Sequence, residues 1–217
     1  MSAAEAFKRL MRVGGFPEPF LQGDERESLR WRKARTEHVI REDIRDLELI
    51  KNISGIQWLL DLLRTRVGGS VVLAHLAQDL QVSAPTVKHW IDILENMYVI
   101  FLVKPYTRNL SRSIQKPPKI YFYDNGDVQG DEGARFENLV AAHLIKKLNF
   151  LEDRDGHRYE LHYIRDKEGR EVDFAVIKEG VLVELIEVKY QGSNLSKSLN
   201  YYAEHLNPVQ GATQVLS

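Results

Sequence analysis

Between Glu171 and Tyr190 the sequence runs through two stretches of strand-forming residues on either side of Lys178-Glu179-Gly180. Such runs, separated by a glycine-containing turn, predict an antiparallel hairpin. A hairpin constrains more than its own backbone. Its side chains alternate with period two, so the turn decides which of them share a face. The charges set among these strand formers are Asp173 in the first run and Glu187 and Lys189 in the second. Glu187 and Lys189, two apart, point to the same side. A turn centred on Gly180 puts Asp173 directly across from Glu187. Two carboxylates that close repel each other. Lys189 offsets part of the repulsion, and a divalent cation offsets more. Carboxylate oxygens suit magnesium, which keeps most of its waters and is held by one or two carboxylates plus substrate phosphate. The competing reading is an exposed sheet face with salt-bridged charges.

Glu137 adds a third carboxylate. Residues 134–148 are predicted as a helix whose core stripe is Val140, Ala141, Leu144 and Leu148, and Glu137 lies on that stripe. An inward glutamate is costly unless something pairs with it, and a metal or Lys189 would do so. Metal held by Asp173 and Glu187, with Glu137 completing a first or second site, would lower the pKa of bound water and stabilise phosphoryl charge. Lys189 would orient the attacking water and stabilise developing negative charge. Asp173, Glu187, Lys189 and Glu137 are therefore the candidate catalytic residues, and the three acids are the candidate magnesium ligands.

The rest of the chain reads as α/β (α+β). Helices are expected over 3–13, over a charged stretch 25–49 with Trp31, Val39, Ile40, Ile44 and Leu47 inward, and over 56–67. Gly14-Gly15 ends the first, and Phe16-Pro17-Glu18-Pro19 is read as an extended turn before the second. Residues 70–80 form a helix, Gln81-Val82 a tight turn, and Ser83 caps a second helix that carries Pro85 in its first turn and runs to Met97. Tyr98 to Val103 reads as a strand. Helix, turn, capped helix and strand in this order predict a winged helix-turn-helix. The N-terminal residues of its second helix, Ala84, Thr86, Lys88 and His89, are the candidates to meet DNA. Residues 104–119 contain Lys104, Arg108, Arg112, Lys116 and Lys119 with no acid, and read as a basic loop or wing along a phosphate backbone. Asp92 and Glu95 oppose that reading, and a protein-docking role fits the same helices. Strands follow over 119–123, 159–164, 171–177 and 181–190, with a helix over 196–206. The expected division is a helical and winged-helix part over 1–104 and a sheet domain over 105–217.

Composition narrows the class. The 217 residues have a net charge of −1, so any nucleic-acid contact comes from local patches. There is no cysteine, which removes disulfides and thiolate chemistry and is compatible with the cytoplasm. No apolar run reaches membrane-spanning length, and no G-x-x-x-x-G-K-[ST] loop is present.

Asp173 with Glu187-Val188-Lys189, preceded by Glu137, resembles the PD-(D/E)XK, or restriction-endonuclease-like, superfamily. Gly14-Gly15-Phe16-Pro17-Glu18, the Val82-Ser83-x-x-Thr86-Val87 turn, Lys119-Ile-Tyr-Phe-Tyr-Asp-Asn-Gly126, Phe136-Glu137-Asn138-Leu139-Val140, Gly169-Arg170-Glu171-Val172-Asp173-Phe174 and Glu187-Val188-Lys189 occur in that order. Together they resemble the C-terminal region of bacterial and archaeal AAA-type ATPases carrying domain of unknown function 4143. The resemblance implies a restriction-endonuclease-like mixed sheet flanked by helices, and an ATPase module or partner outside this chain. The expected function is a DNA-interacting module with a magnesium-dependent nuclease site. The alternative is a non-catalytic DNA-binding or protein-docking module of a split or truncated ATPase.

Overall fold

In a computed structural model, the structure describes residues 1–39, 53–106, 116–192 and 194–217. They form a mixed α/β protein of two compact units, Met1–Phe101 with Ile120–Arg135 and Leu102–Lys119 with Phe136–Ser217. The strands are β1 (Ile100–Pro105), β2 (Lys119–Phe122), β3 (Tyr159–Arg165), β4 (Glu171–Lys178), β5 (Val181–Lys189) and β6 (Ala212–Leu216). They are ordered β2-β1-β3-β4-β5-β6. β3, β4 and β5 are antiparallel neighbours, whereas β1–β3 and β5–β6 are parallel.

The first unit is helical: α1 (Ala3–Val13), α2 (Pro17–Gln22), α3 (Glu25–His38), α4 (Ile53–Arg64), α5 (Leu73–Leu80) and α6 (Ala84–Asn96). α1 begins with a capping box, in which Ser2 Oγ accepts from the Glu5 N–H and the Glu5 carboxylate accepts from the Ser2 N–H. It ends at Gly14, where φ is +85° and a Cβ would lie 1.9 Å from Asp124 Oδ1. Only glycine fits there. Asp124 Oδ1 accepts from the Gly15 and Gly126 N–H groups, which ties the end of α1 to the 3-10 turn Asn125–Asp127.

α3 corrects one expectation. Its buried residues are Ser28 and Arg32 rather than Trp31. The Arg32 guanidinium donates to Ser28 Oγ and to the Val13 carbonyl, while Trp31 lies against Phe16 and donates to Glu18. A polar inward face leaves no apolar period to read. The expected inner positions Ile40, Ile44 and Leu47 lie outside the described residues. α4 follows its apolar period, with Ile56, Leu59, Leu60 and Leu63 buried. α5 and α6 meet at Gln81, which takes the left-handed conformation (φ +54°), and Ser83 Oγ caps α6 by accepting from the Thr86 N–H. Val87, Trp90, Ile91, Ile93 and Leu94 are the buried face of α6. β1 starts at Ile100, later than expected, because Tyr98 has φ +54°.

In the second unit α7 (Glu132–Asp155) carries on from its first turn in the other unit. It is longer than the expected helix, and its buried residues Phe136, Asn138, Leu139, Ala141 and Leu148 replace the expected stripe in part. α8 (Lys197–Leu206) packs Leu199 and Tyr202 onto Ile164, Val172, Ala175, Ile177, Leu182 and Leu185 of the sheet. β6 was not foreseen. It is a short edge strand with exposed Ala212 and Thr213, so it carries little apolar signal.

The expected basic loop also changes. Lys104 and Pro105 belong to β1, where they pair with His162 and Tyr163. Lys119 opens the wholly buried strand β2 and is only 4% exposed.

Candidate functional site

The β4–β5 hairpin positions the acids through two irregularities. Its turn is Glu179-Gly180, both with positive φ (48° and 77°), and it pairs Lys178 with Val181 and Ile177 with Leu182. Continued unbroken, that register would bring Asp173 level with Ile186. Instead the register shifts, and Val176 pairs with Glu184, Ala175 with Leu185 and Phe174 with Ile186. The extra residue is Val183. The hairpin is thus not centred on Gly180, yet the bulge restores the offset that such a centre would give, and that offset continued one residue past the Phe174–Ile186 pair sets Asp173 level with Glu187.

The second irregularity lies on the other edge of β4. His162 pairs with Ala175 and Ile164 with Val172, so Asp173 and Phe174 together face Tyr163. Val172 and Ala175, three apart, consequently enter the same apolar cluster. Asp173 sits in this bulge and is turned toward β5, where its Oδ2 accepts from the Val188 N–H at 2.8 Å. Bulges bend a strand and re-aim side chains in this way.

Around Asp173 the structure gathers the acids named from sequence. Glu187 is 5% exposed; one carboxylate oxygen lies 2.8 Å from Lys189 Nζ, and the other, Oε2, is buried with no hydrogen-bond partner among the described residues. Burial pushes the Asp173 carboxyl up to about 7, reinforced by the charges of Glu137 and Glu187 against the opposing pull of Lys119 and the Val188 N–H. The Lys189 ammonium is raised by its hydrogen bond to Glu187.

Sequence reasoning missed one participant. Lys119 Nζ lies 2.5 Å from Glu171, 3.5 Å from Glu137 and 3.9 Å from Asp173, and 5.6 Å above the Tyr163 ring. Burial works to lower its pKa, but the three carboxylates outweigh burial and leave it raised. The partner found for Glu137 is therefore Lys119. Glu171 is shared with Arg165, 3.5 Å away. The available signal was Lys119 at the head of a strand otherwise made of Ile, Tyr and Phe.

A magnesium ion can be tested against these residues. Among the described residues no group of three or more His, Cys, Asp or Glu side chains is arranged to hold a metal. Two carboxylates suffice for an ion that keeps its waters. Asp173 and Glu187 supply hard oxygens, Glu187 Oε2 has no hydrogen-bond partner among the described residues, and the charges of Glu137 and Glu187 add to burial in raising the Asp173 carboxyl. These residues fit one divalent cation.

The nucleic-acid candidates are distributed differently. Lys88 Nζ is bound to both Asp92 oxygens at 2.9 and 2.8 Å, and the Thr86 hydroxyl to Ser83 Oγ at 2.7 Å. His89 is exposed on the same helix. In the second unit Lys116 Nζ donates to the Arg165 carbonyl at 2.6 Å. Arg108 and Arg112 lie outside the described residues. A cavity of about 400 Å³ in the first unit is lined by Arg32, Arg64, Arg135, Asp61, Asp127 and Trp58, among others, and contains none of the acids above.

By architecture, then, this is a mixed α/β protein with a helical first unit and a buried carboxylate–lysine cluster on the hairpin of the second. The chain belongs to the family defined as Domain of unknown function (DUF8612), which matches residues 4–128, and residues 132–216 match Domain of unknown function (DUF4143). It is 26% identical over 210 residues to an uncharacterized protein of Methanocaldococcus jannaschii, covering 89% of this chain and 44% of that protein. Uncharacterized proteins of Mycobacterium bovis and Mycobacterium tuberculosis are each 25% identical over 123 residues, covering 57% of this chain and 28% of theirs. The chain thus spans less than half the length of these relatives. No solved structure matches.

Proposed function

We propose that the chain is a DNA-interacting module whose second unit is a magnesium-dependent, PD-(D/E)XK-type nuclease domain and whose α5–α6 pair with β1 is a winged helix. The observation that carries this reading is half-buried Asp173 beside buried Glu187, whose second oxygen has no hydrogen-bond partner among the described residues, next to Lys189. When bound, magnesium supplies a water of lowered pKa and neutralises phosphoryl charge. Asp173 and Glu187 would hold the ion. Lys189, half exposed and anchored by Glu187, presents its ammonium to the water and the scissile phosphate. Plasmid and branched DNA incubated with Mg²⁺ or Mn²⁺ should be cleaved by the wild type, with Lys189→Ala slower by roughly 100-fold or more. Absence of cleavage, or an unchanged variant, sinks the assignment. An ATPase module is the partner the resemblance implies, and the absence of cysteine is compatible with the cytoplasm.

The alternative is a non-catalytic DNA-binding or protein-docking module, and one observation favours its docking form. Lys88, the cation best placed on α6, is already neutralised by Asp92. Binding to DNA through several phosphates should weaken with salt at a log–log slope near −0.9 per phosphate. A flat dependence points to protein docking.

A further inference from the structure

The proposed site contains a cation of its own. Lys119 enters from β2, and carboxylates from two other elements close on it: Glu137 from α7 and Glu171 and Asp173 from β4. Its side chain is 5% exposed, so solvent screens these contacts poorly. Lys189, by contrast, is 44% exposed; its ion pair is with Glu187, and Asp173 and Glu137 act on it only through their charge. The two lysines therefore take different ion-pair partners among the acids. Glu137 and Glu171 face a buried ammonium, while Asp173 lies between that ammonium and Glu187.

Building on the nuclease reading, we infer that Lys119 is the resident cation of the pocket: it fills the place a second metal would take between Glu137 and Asp173, so the site accepts one divalent ion, on Asp173 and Glu187. A divalent ion near Glu137 would have to share that space with an ammonium 3.5 Å from the same carboxylate. Like charges at such separations repel strongly where burial keeps solvent from screening them. The sequence had offered Glu137 for a first or second metal; its pairing with Lys119 reassigns it to the lysine.

The test is Mn²⁺ binding by the metal-depleted chain, read by calorimetry and by the EPR signal of free Mn²⁺. The wild type is expected to bind one ion. Lys119→Met is expected to bind a second, or to bind the first at least about tenfold tighter, the effect of removing one positive charge a few ångströms away. Two ions in the wild type, or a variant that does neither, overturns the inference while leaving the nuclease reading intact. A wild type that binds no ion overturns both. If Lys119→Met does not fold, the wild type labelled with ¹⁵N-lysine decides. The Lys119 ammonium signal should persist at saturating Mg²⁺, and its loss counts against a resident cation.

Discussion

Gly14 and Asp173 show how much one residue carries here. Gly14 combines positive φ with a backbone approach to Asp124 that leaves no room for a Cβ. Gly180 also has positive φ (+77°), but nothing lies within 4 Å of its missing Cβ. Gly180→Ala should cost about 1 kcal/mol through backbone strain alone, and Gly14→Ala roughly 2–4 kcal/mol because a buried clash is added; urea denaturation measures both. Asp173 makes a second prediction. An aspartate titrates near 3.9 unfolded and Asp173 at about 7 folded. Between those values the folded state holds a proton that the unfolded state has lost. The stability linked to this group is full below about pH 4 and falls as pH rises toward 7. In EDTA, Asp173→Asn should remove that slope, gaining on the wild type above about pH 7 and matching it below about pH 4. A variant with the wild-type slope would place the raised carboxyl elsewhere.

At the scale of elements, the β4–β5 hairpin decides whether the acids meet. The sequence set Asp173 and Glu187 at equal distances from Gly180, and the structure reaches the same offset by another route. The Glu179-Gly180 turn alone would fix a register one step away, and Val183 supplies the missing step. Deleting Val183 leaves a regular hairpin in which Glu184 still meets Val176, so Mn²⁺ binding should persist. Deleting Val183 and Glu184 together brings Phe174 level with Glu187 and moves Leu185 out of the core. Binding should then be lost and stability fall by about 2–5 kcal/mol. Equal binding by the two deletions would show that register does not set the site. Helix α3 teaches the converse lesson: Ser28 and Arg32 face inward through hydrogen bonds, which no apolar periodicity announces.

At the scale of the whole molecule, the chain crosses between its two units more than once, and residues 120–135 return to the first. That return brings Asp127 to Arg35 and Arg64, and Asp124 to the Gly15 N–H. Residues 1–104 produced alone lack these partners and should show no cooperative thermal transition. A sharp transition would mean that the first unit folds without the returning segment. With a net charge of −1, DNA binding by the full chain should be weak above physiological salt, since local patches rather than a global field carry it.

The sequence by itself determined the mixed α/β class, most of the helices, the hairpin and the acids that converge on it. Those follow from local causes: caps, glycine turns and periodic burial, each written within a few residues. It gave no hold on β6, on the polar face of α3 or on the place of Lys119. Only tertiary structure decided these. An edge strand carries too little apolar signal to stand out, and a polar inward face has no hydrophobic period. In a strand buried on both faces, a charged residue has no alternation to reveal its direction. Lys119 read as part of a basic loop because its neighbours in sequence are basic; it became a buried cation because its neighbours in space are Glu137, Glu171 and Asp173.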